Sequence, residues 1–171
     1  MAVSVLDMSV SLDGFIRLHE WAFGPGAPEE VLGEMNAMGA VLAGRRTVEQ
    51  VDHWGGDHHG SGIRIFVPST RPPAPHVANY PLVTYVHDGI ASAMAQAKAA
   101  AGDRHVHVIG ADTEQRALAA GVLDEVHIHQ IPVLFGRGRR LFDVLPSRIE
   151  LDIVRVVNTP EATHIRYRVR T

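Results

Sequence analysis

Hydrophobic and polar positions alternate with two different periods along the chain. Short, β-branched apolar runs fall at about residues 2–10, 40–43, 63–67 (IRIFV), 82–86 (LVTYV), 106–109 (VHVI) and 125–134 (EVHIHQIPVL). Their length and composition predict strands. Pro132 cannot donate to a ladder and makes the end of the last run an edge or a bulge. Between the runs the spacing lengthens toward the helical period. Pro28 suits a first helical turn, and Val31, Leu32, Met35 and Met38 make one apolar face before Gly39. DGIASAMAQAKAAAG (residues 88–102) predicts a helix with Asp88 as cap and Gly102 as stop. ADTEQRALAAG predicts another, with Asp112 three residues before Gln115 at a capping-box spacing and Gly121 at its end.

After residue 145 the alternation returns to strict period two. IELDIVRVVNT and THIRYRVRT flank NTPEA and predict an antiparallel pair closed by a turn. Strands alternating with helices and then a terminal hairpin define an α/β fold: a mostly parallel sheet of about eight strands, covered by helices, with an antiparallel edge. RPPAPHVANYP reads as a stiff loop, and residues 1–171 read as a single domain.

The formal charge is −3 and charged residues make up 20% of the chain, so no global field draws it to nucleic acid or to an anionic membrane. An anion site would have to be local. No apolar run is long enough to span a bilayer, and the first residues lack the basic leader of a secretory signal. Cysteine is absent, which removes disulfides, thiolate metal sites and cysteine nucleophiles. The expectation is a cytoplasmic enzyme or binding domain.

In open α/β sheets ligands bind where strand C-termini meet the following helices. The run AVLA ends at Gly44, followed by Arg45, Arg46 and Thr47. Backbone N–H groups, a hydroxyl and two guanidinium forks there either converge on a phosphate or form a glycine turn with its arginines packed over Glu49 and Glu29. At the second corner, Ile109 leads into Gly110, Ala111, Asp112 and Thr113. The small residues allow close approach of a diphosphate, whereas a capping Asp112 would repel one; a tight turn explains the stretch equally well. Ser69, Thr70 and Arg71 supply a third polar strand end. Neither G-x-G-x-x-G nor a P-loop lysine is present, so ordinary Rossmann and NTPase binding are unsupported.

MSVSLDGFI, VLAGRRTVE, FVPSTRPP, the long stretch from Val106 to Asp143 and VRVVNTPEATHIRYRV occur in an order that resembles the dihydrofolate reductase superfamily. The similarity is to its branch containing the reductase domain of bacterial riboflavin biosynthesis, and it covers nearly the whole chain. The resemblance implies a dihydrofolate reductase-like fold and NADPH as cofactor. Gly44, Arg45, Arg46 and Thr47 would hold phosphates, with Ser69, Thr70 and Arg71 near the 2′-phosphate. Ile109, Gly110, Ala111, Asp112 and Thr113 would run beside the diphosphate and nicotinamide. Asp13 would lie at the substrate pocket as the candidate catalytic proton donor, with His19 or Glu20 as alternatives. The family often has a second glycine where this chain has Ala111. The segment from Arg17 to Trp21 is short of the usual covering loop, and Gly136-Arg137-Gly138 replaces a glycine triplet.

The expected activity is hydride transfer from NADPH to a small heterocyclic, imine or carbonyl substrate. The alternative is a non-catalytic relative that binds a nucleotide or small ligand. Relatives in this branch imply a homodimer, and a long strand and terminal hairpin offer an edge for one. Eleven histidines raise a third reading. His105 with His107, and His127 with His129, share strand faces, and His53, His58 and His59 sit in DHWGGDHHG. Partly exposed or hydrogen-bonded faces account for the pairs, and GGDHHG reads as a mobile surface loop, so no metal is expected. The P-C-x-x-C ligands of a zinc deaminase are missing. Trp21 and Trp54 fit either a pocket or the core.

Overall fold

The computed structural model describes residues 1–16, 27–143 and 145–171. Its central sheet has eight strands: β1 Ser4–Ser11, β3 Met38–Ala43, β4 Arg64–Pro68, β5 Val83–Val86, β6 His105–Ile109, β7 Glu125–Ile131, β9 Leu151–Asn158 and β10 Thr163–Val169. The spatial order is β5-β4-β3-β6-β1-β7-β10-β9. The first six are parallel, and β10 and β9 close the sheet antiparallel. A two-residue ladder joins β2 (Phe15–Ile16) to β8 (Arg139–Arg140). The expected mostly parallel sheet with a reversed hairpin edge is therefore present. The last parallel strand stops at Ile131, immediately before Pro132.

Among the described residues four α-helices cover the sheet: α1 Glu29–Asn36, α2 Arg45–Gln50, α3 Ile90–Ala101 and α4 Ala111–Ala119. Strand residues alternate between faces. Leu6, Leu42, Val106, Val108 and Val126 pack against Ala93, Met94 and Ala97 of α3 and Ala117 and Leu118 of α4. On the opposite face Val41, Ala43, Ile65 and Val67 bury Val48 of α2. Small alanines on α3 let that helix lie close to the strands, and burial of these apolar side chains at about 25 cal/mol per Å² supplies the main driving force.

Helix starts differ from expectation in a consistent way. Asp88 caps nothing: Gly89, at φ +103°, precedes α3. Asp112 lies inside α4, whose N-cap is Gly110 at φ +105°, and Gln115 accepts a hydrogen bond from the Asp143 N–H. At both points glycine takes a positive φ that brings the chain into the helix without a side-chain cap. Met38 and Gly39 belong to β3 rather than to the face of α1. A Cβ on Gly39 would lie 2.6 Å from that of Arg104, so glycine there lets the α3–β6 corner close on the bulged strand. Leu32 is exposed, and α1 buries Val31.

Candidate functional site

Parallel strands put the C-terminal ends of β3, β4, β5 and β6 on one edge of the sheet. A cleft of about 420 Å³ opens there, within the range of small-molecule sites. Its walls include Gly44, Arg45, Arg46 and Thr47 from one corner, Ser69, Thr70 and Arg71 from a second, and Gly110, Ala111, Asp112 and Thr113 from a third. Ile109 stands just behind them, its carbonyl accepting the Gly44 N–H. Residues widely separated in sequence thus meet in one place.

Two corners interlock. A Cβ on Gly44 would come 2.4 Å from Thr113 Oγ1, and one on Gly110 would come 2.7 Å from Thr47 Oγ1. Each glycine makes room for the other corner's threonine, and Gly110 alone also needs its positive φ. The cleft wall is strongly cationic, carrying Arg45, Arg46, Arg71, Arg116 and Arg139 against the single carboxylate of Asp112. Arg45 leans on Glu49 one turn along α2 (2.7 Å), and Asp112 lies 3.9 Å from Arg116. Arg46 has no ion pair among the described residues. The Ser69 hydroxyl is used within its own turn, donating to the Arg71 carbonyl and accepting from the Arg71 N–H, both at 3.0 Å; it shapes the presentation of Thr70 and Arg71.

These features fit a phosphorylated dinucleotide. Guanidinium forks match diphosphate and 2′-phosphate oxygens. The first-turn N–H groups of α4 add partial positive charge, and the glycine corners keep Cβ atoms off the floor. Asp112 sits in the first turn with an arginine beside it, so it does not occupy the cap.

Asp13 does not line the cleft. Its carboxylate accepts hydrogen bonds from the Ser11 hydroxyl, from the N–H of Gly136 (2.8 Å) and from the N–H of Phe135 (3.2 Å). The Ser11 hydroxyl above all, reinforced by these backbone donors, holds its pKa below the usual carboxylate range. Arg140 stacks over Phe15 at 4.7 Å, and the Leu141 N–H bonds the Gly14 carbonyl. The Asp13 turn therefore anchors the segment that carries Arg139 to the cleft. His19, Glu20, Trp21 and the short segment beginning at Arg17 lie outside the described residues. Trp54 packs on the Val41–Ile65 face of the core.

Two polar features were not singled out from sequence. Glu114 of α4 follows Thr113 and is fully buried, with neither carboxyl oxygen hydrogen-bonded. Burial, and secondarily Asp7, pushes its pKa up to about 8. Its spacing from Ala111, Ala117 and Leu118 places it on the apolar face, which is the signal that identifies it. The second is Asp7 on β1. The H-x-H pairs expected on neighbouring strands instead flank β1, with Asp7 between them. His129 Nε2 lies 3.0 Å from Asp7 Oδ1, and His129 Nδ1 lies 2.7 Å from His164 Nδ1. Burial raises the Asp7 pKa, but the His127 and His129 rings outweigh it and hold the carboxylate ionised. Burial likewise opposes charge on His127, yet Asp7 and Glu125 push its pKa up to about 9. Glu34 of α1 reaches Arg155 (2.8 Å) and Arg166 (3.1 Å), fastening that helix over the hairpin edge.

The loop DHWGGDHHG is packed rather than a mobile surface loop. His53 and His58 are buried, and a Cβ on Gly56 would strike the Tyr80 ring. Their contacts come from Trp54, Tyr80 and Tyr85, which no local pattern reveals.

Comparison with known proteins finds the family described as the RibD C-terminal domain matching residues 3–165. Among solved structures, a Shewanella sp. PV-4 protein ascribed to riboflavin biosynthesis is similar over 100% of both chains, at 23% identity and a TM-score of 0.78. Acinetobacter baumannii RibD is similar over 99% of this chain and 58% of its own, at 17% identity and a TM-score of 0.67. A Thermotoga maritima diaminohydroxyphosphoribosylaminopyrimidine deaminase/5-amino-6-(5-phosphoribosylamino)uracil reductase is similar over 99% of this chain and 57% of its own, at 16% identity and a TM-score of 0.67. At these identities the likeness concerns the fold, and this chain spans little more than half of the two longer proteins. A comparison with curated proteins finds no match. No helix among the described residues is long and apolar enough to cross a membrane.

Proposed function

Because the chain belongs to the family of RibD C-terminal domains, a reductase-type family, we propose that it reduces a small heterocyclic, imine or carbonyl compound at the expense of NADPH. The observation that carries this reading is the cleft itself: it opens at parallel strand ends, is walled by five arginines, and has a floor where two glycines and two threonines interlock. NADPH, when bound, supplies the hydride. Arg45, Arg46 and Thr47, with the first turn of α4, would take the diphosphate. Thr70 and Arg71 would take the 2′-phosphate and so favour NADPH over NADH. Ile109 to Thr113 would border the nicotinamide side, where holding the partners in contact and excluding water are what the protein contributes. Asp13, ionised and engaged by three donors, is assigned the job of positioning the Arg139 segment rather than donating a proton.

That saturation of Asp13 favours a second reading, a non-catalytic nucleotide- or ligand-binding protein on the same fold. NADPH titration followed by tryptophan fluorescence tests both. Micromolar binding that exceeds NADH binding and collapses in an Arg45→Ala/Arg46→Ala variant supports the cleft assignment. Reduction of heterocyclic or carbonyl substrates then separates enzyme from binder, and absence of saturation at millimolar NADPH refutes the cofactor assignment and turns the second reading to other ligands.

The same reading places the protein in the cytoplasm as a homodimer, without nucleic-acid or membrane partners. The dimer is supported by β9, an outer strand with Ile153 67% and Val156 52% exposed. Covering such an edge by self-association removes an aggregation hazard.

A further inference from the structure

At the far end of α2 from the cleft, the chain turns through an unusual path. Asp52, His53 and Trp54 have φ of 44°, 54° and 52°, in the left-handed region that L residues avoid. The turn brings His53 against the edge of the sheet and Asp52 against the short turn Pro75–Asn79. His53 is only 2% exposed. Its Nε2 lies 2.8 Å from the Tyr85 hydroxyl, whereas its Nδ1 is buried without a hydrogen-bond partner and lies 3.8 Å from Asp52 Oδ1. That same carboxylate oxygen is 2.8 Å from His76 Nε2, and Asp52 Oδ2 accepts a hydrogen bond from the Tyr80 hydroxyl at 2.8 Å. One ligand atom from each of Asp52, His53 and His76 lies within 4.8 Å of the others.

We propose that Asp52, His53 and His76 form a binding site for a divalent transition-metal ion of the zinc type, separate from the dinucleotide cleft. Two imidazole nitrogens and one carboxylate oxygen are a donor set suited to zinc, with remaining positions open to water. The outer groups a metal site requires are in place. A His53 Nε2–H donating to the Tyr85 oxygen leaves the Nδ1 lone pair directed at the site, and Tyr80 fixes the second carboxylate oxygen. His53 Nδ1 otherwise has no hydrogen bond, which a buried imidazole nitrogen ordinarily finds. Asp52 and His76 are more than half exposed as side chains, so an ion enters directly from solvent. Bound there, the ion would clip the left-handed turn to the 75–79 turn beside β5.

The other histidine groups fit less well. His58 and His59 meet edge-to-face with centroids 4.4 Å apart, and His127 and His129 are engaged with Asp7, Glu125 and His164. Among the described residues, the Asp52 group is the only trio of His, Cys, Asp or Glu that brings its ligand atoms together in this way.

The test is calorimetric titration of chelator-treated full-length protein with Zn²⁺, paired with the visible spectrum of the Co²⁺ form. The wild type, His76→Ala and Asp52→Asn are compared, the last two altering exposed side chains. One equivalent binding at micromolar concentration or below, weakened at least tenfold in each variant with loss of the Co²⁺ d–d bands, supports the site. Circular dichroism and NADPH binding should remain those of the wild type, which keeps the result independent of the cofactor assignment. No binding at millimolar Zn²⁺, or less than tenfold weakening in either variant, overturns it.

Discussion

Replacing Glu114 by glutamine should stabilise the protein, and by an amount that grows with pH. The side chain is wholly buried, and neither oxygen is hydrogen-bonded. Its carboxyl ionises near 4.5 in the unfolded chain but only at about 8 in the fold. Between those values the folded state holds a proton that the unfolded state releases, so raising the pH favours unfolding. Each pH unit costs about 1.4 kcal/mol, giving ~3 kcal/mol at pH 7 and ~5 kcal/mol above pH 8. Below pH 4 the residue costs only what an unpaired neutral polar group costs. Glutamine keeps that fixed cost and the volume but cannot ionise. Urea unfolding of both proteins at pH 5, 6, 7 and 8, with the slope m checked for constancy, measures the difference directly. A stability gap that widens by several kcal/mol from pH 5 to pH 8 is expected. A gap independent of pH would mean that Glu114 is hydrated or paired in solution, and the reasoning from its burial would fail.

The interlocked corners give a coupling test: Gly44→Ala should cost about 1–3 kcal/mol through overpacking and Thr113→Ala should recover most of it. Gly110→Ala should not be recovered by Thr47→Ala, because its positive φ remains; equal rescue in the two cycles would refute this distinction. His127 contributes stability that is complete below pH 6.5 and lost as pH rises through about 9, so the stability difference between wild type and His127→Gln should shrink across that window in urea titrations. Charging the outer strand with Ile153→Asp and Val156→Asp should convert a dimer to monomer in light scattering, and an unchanged mass would refute the dimer edge. In the cleft, Arg46→Ala should weaken NADPH at least tenfold, ~1.4 kcal/mol; Arg45→Ala should weaken it too and free Glu49, and rising salt should reduce the difference.

The length and β-branched composition of the six parallel runs, and the period-two alternation of the terminal hairpin, were enough to place the eight main strands, because the parallel strands are buried on both faces and read as continuous apolar runs. The cleft was also largely readable, since polar strand ends in an α/β sheet can only gather at one edge. Asp88 and Asp112 misled because their composition mimics a cap, while Gly89 and Gly110 start the helices through backbone conformation alone. Glu114 was recoverable from helical spacing. The packing of His53 was not, because it depends on Tyr80 and Tyr85, some thirty residues away along the chain. Asp13 looked like an exposed acid in a turn, and only the approach of the Phe135–Gly136 backbone gives it a structural task.

The reciprocal contacts of Gly44 with Thr113 and of Gly110 with Thr47 impose an order on mutational history. A side chain can arrive at position 44 only after position 113 has given up its hydroxyl, since the reverse sequence passes through an overpacked intermediate. At position 110 no prior change opens the way, because the backbone itself excludes a side chain. One corner can therefore drift along a one-way path while the other stays fixed, so relatives with a side chain at 44 should also lack the threonine at 113, whereas a change at 113 alone is permitted.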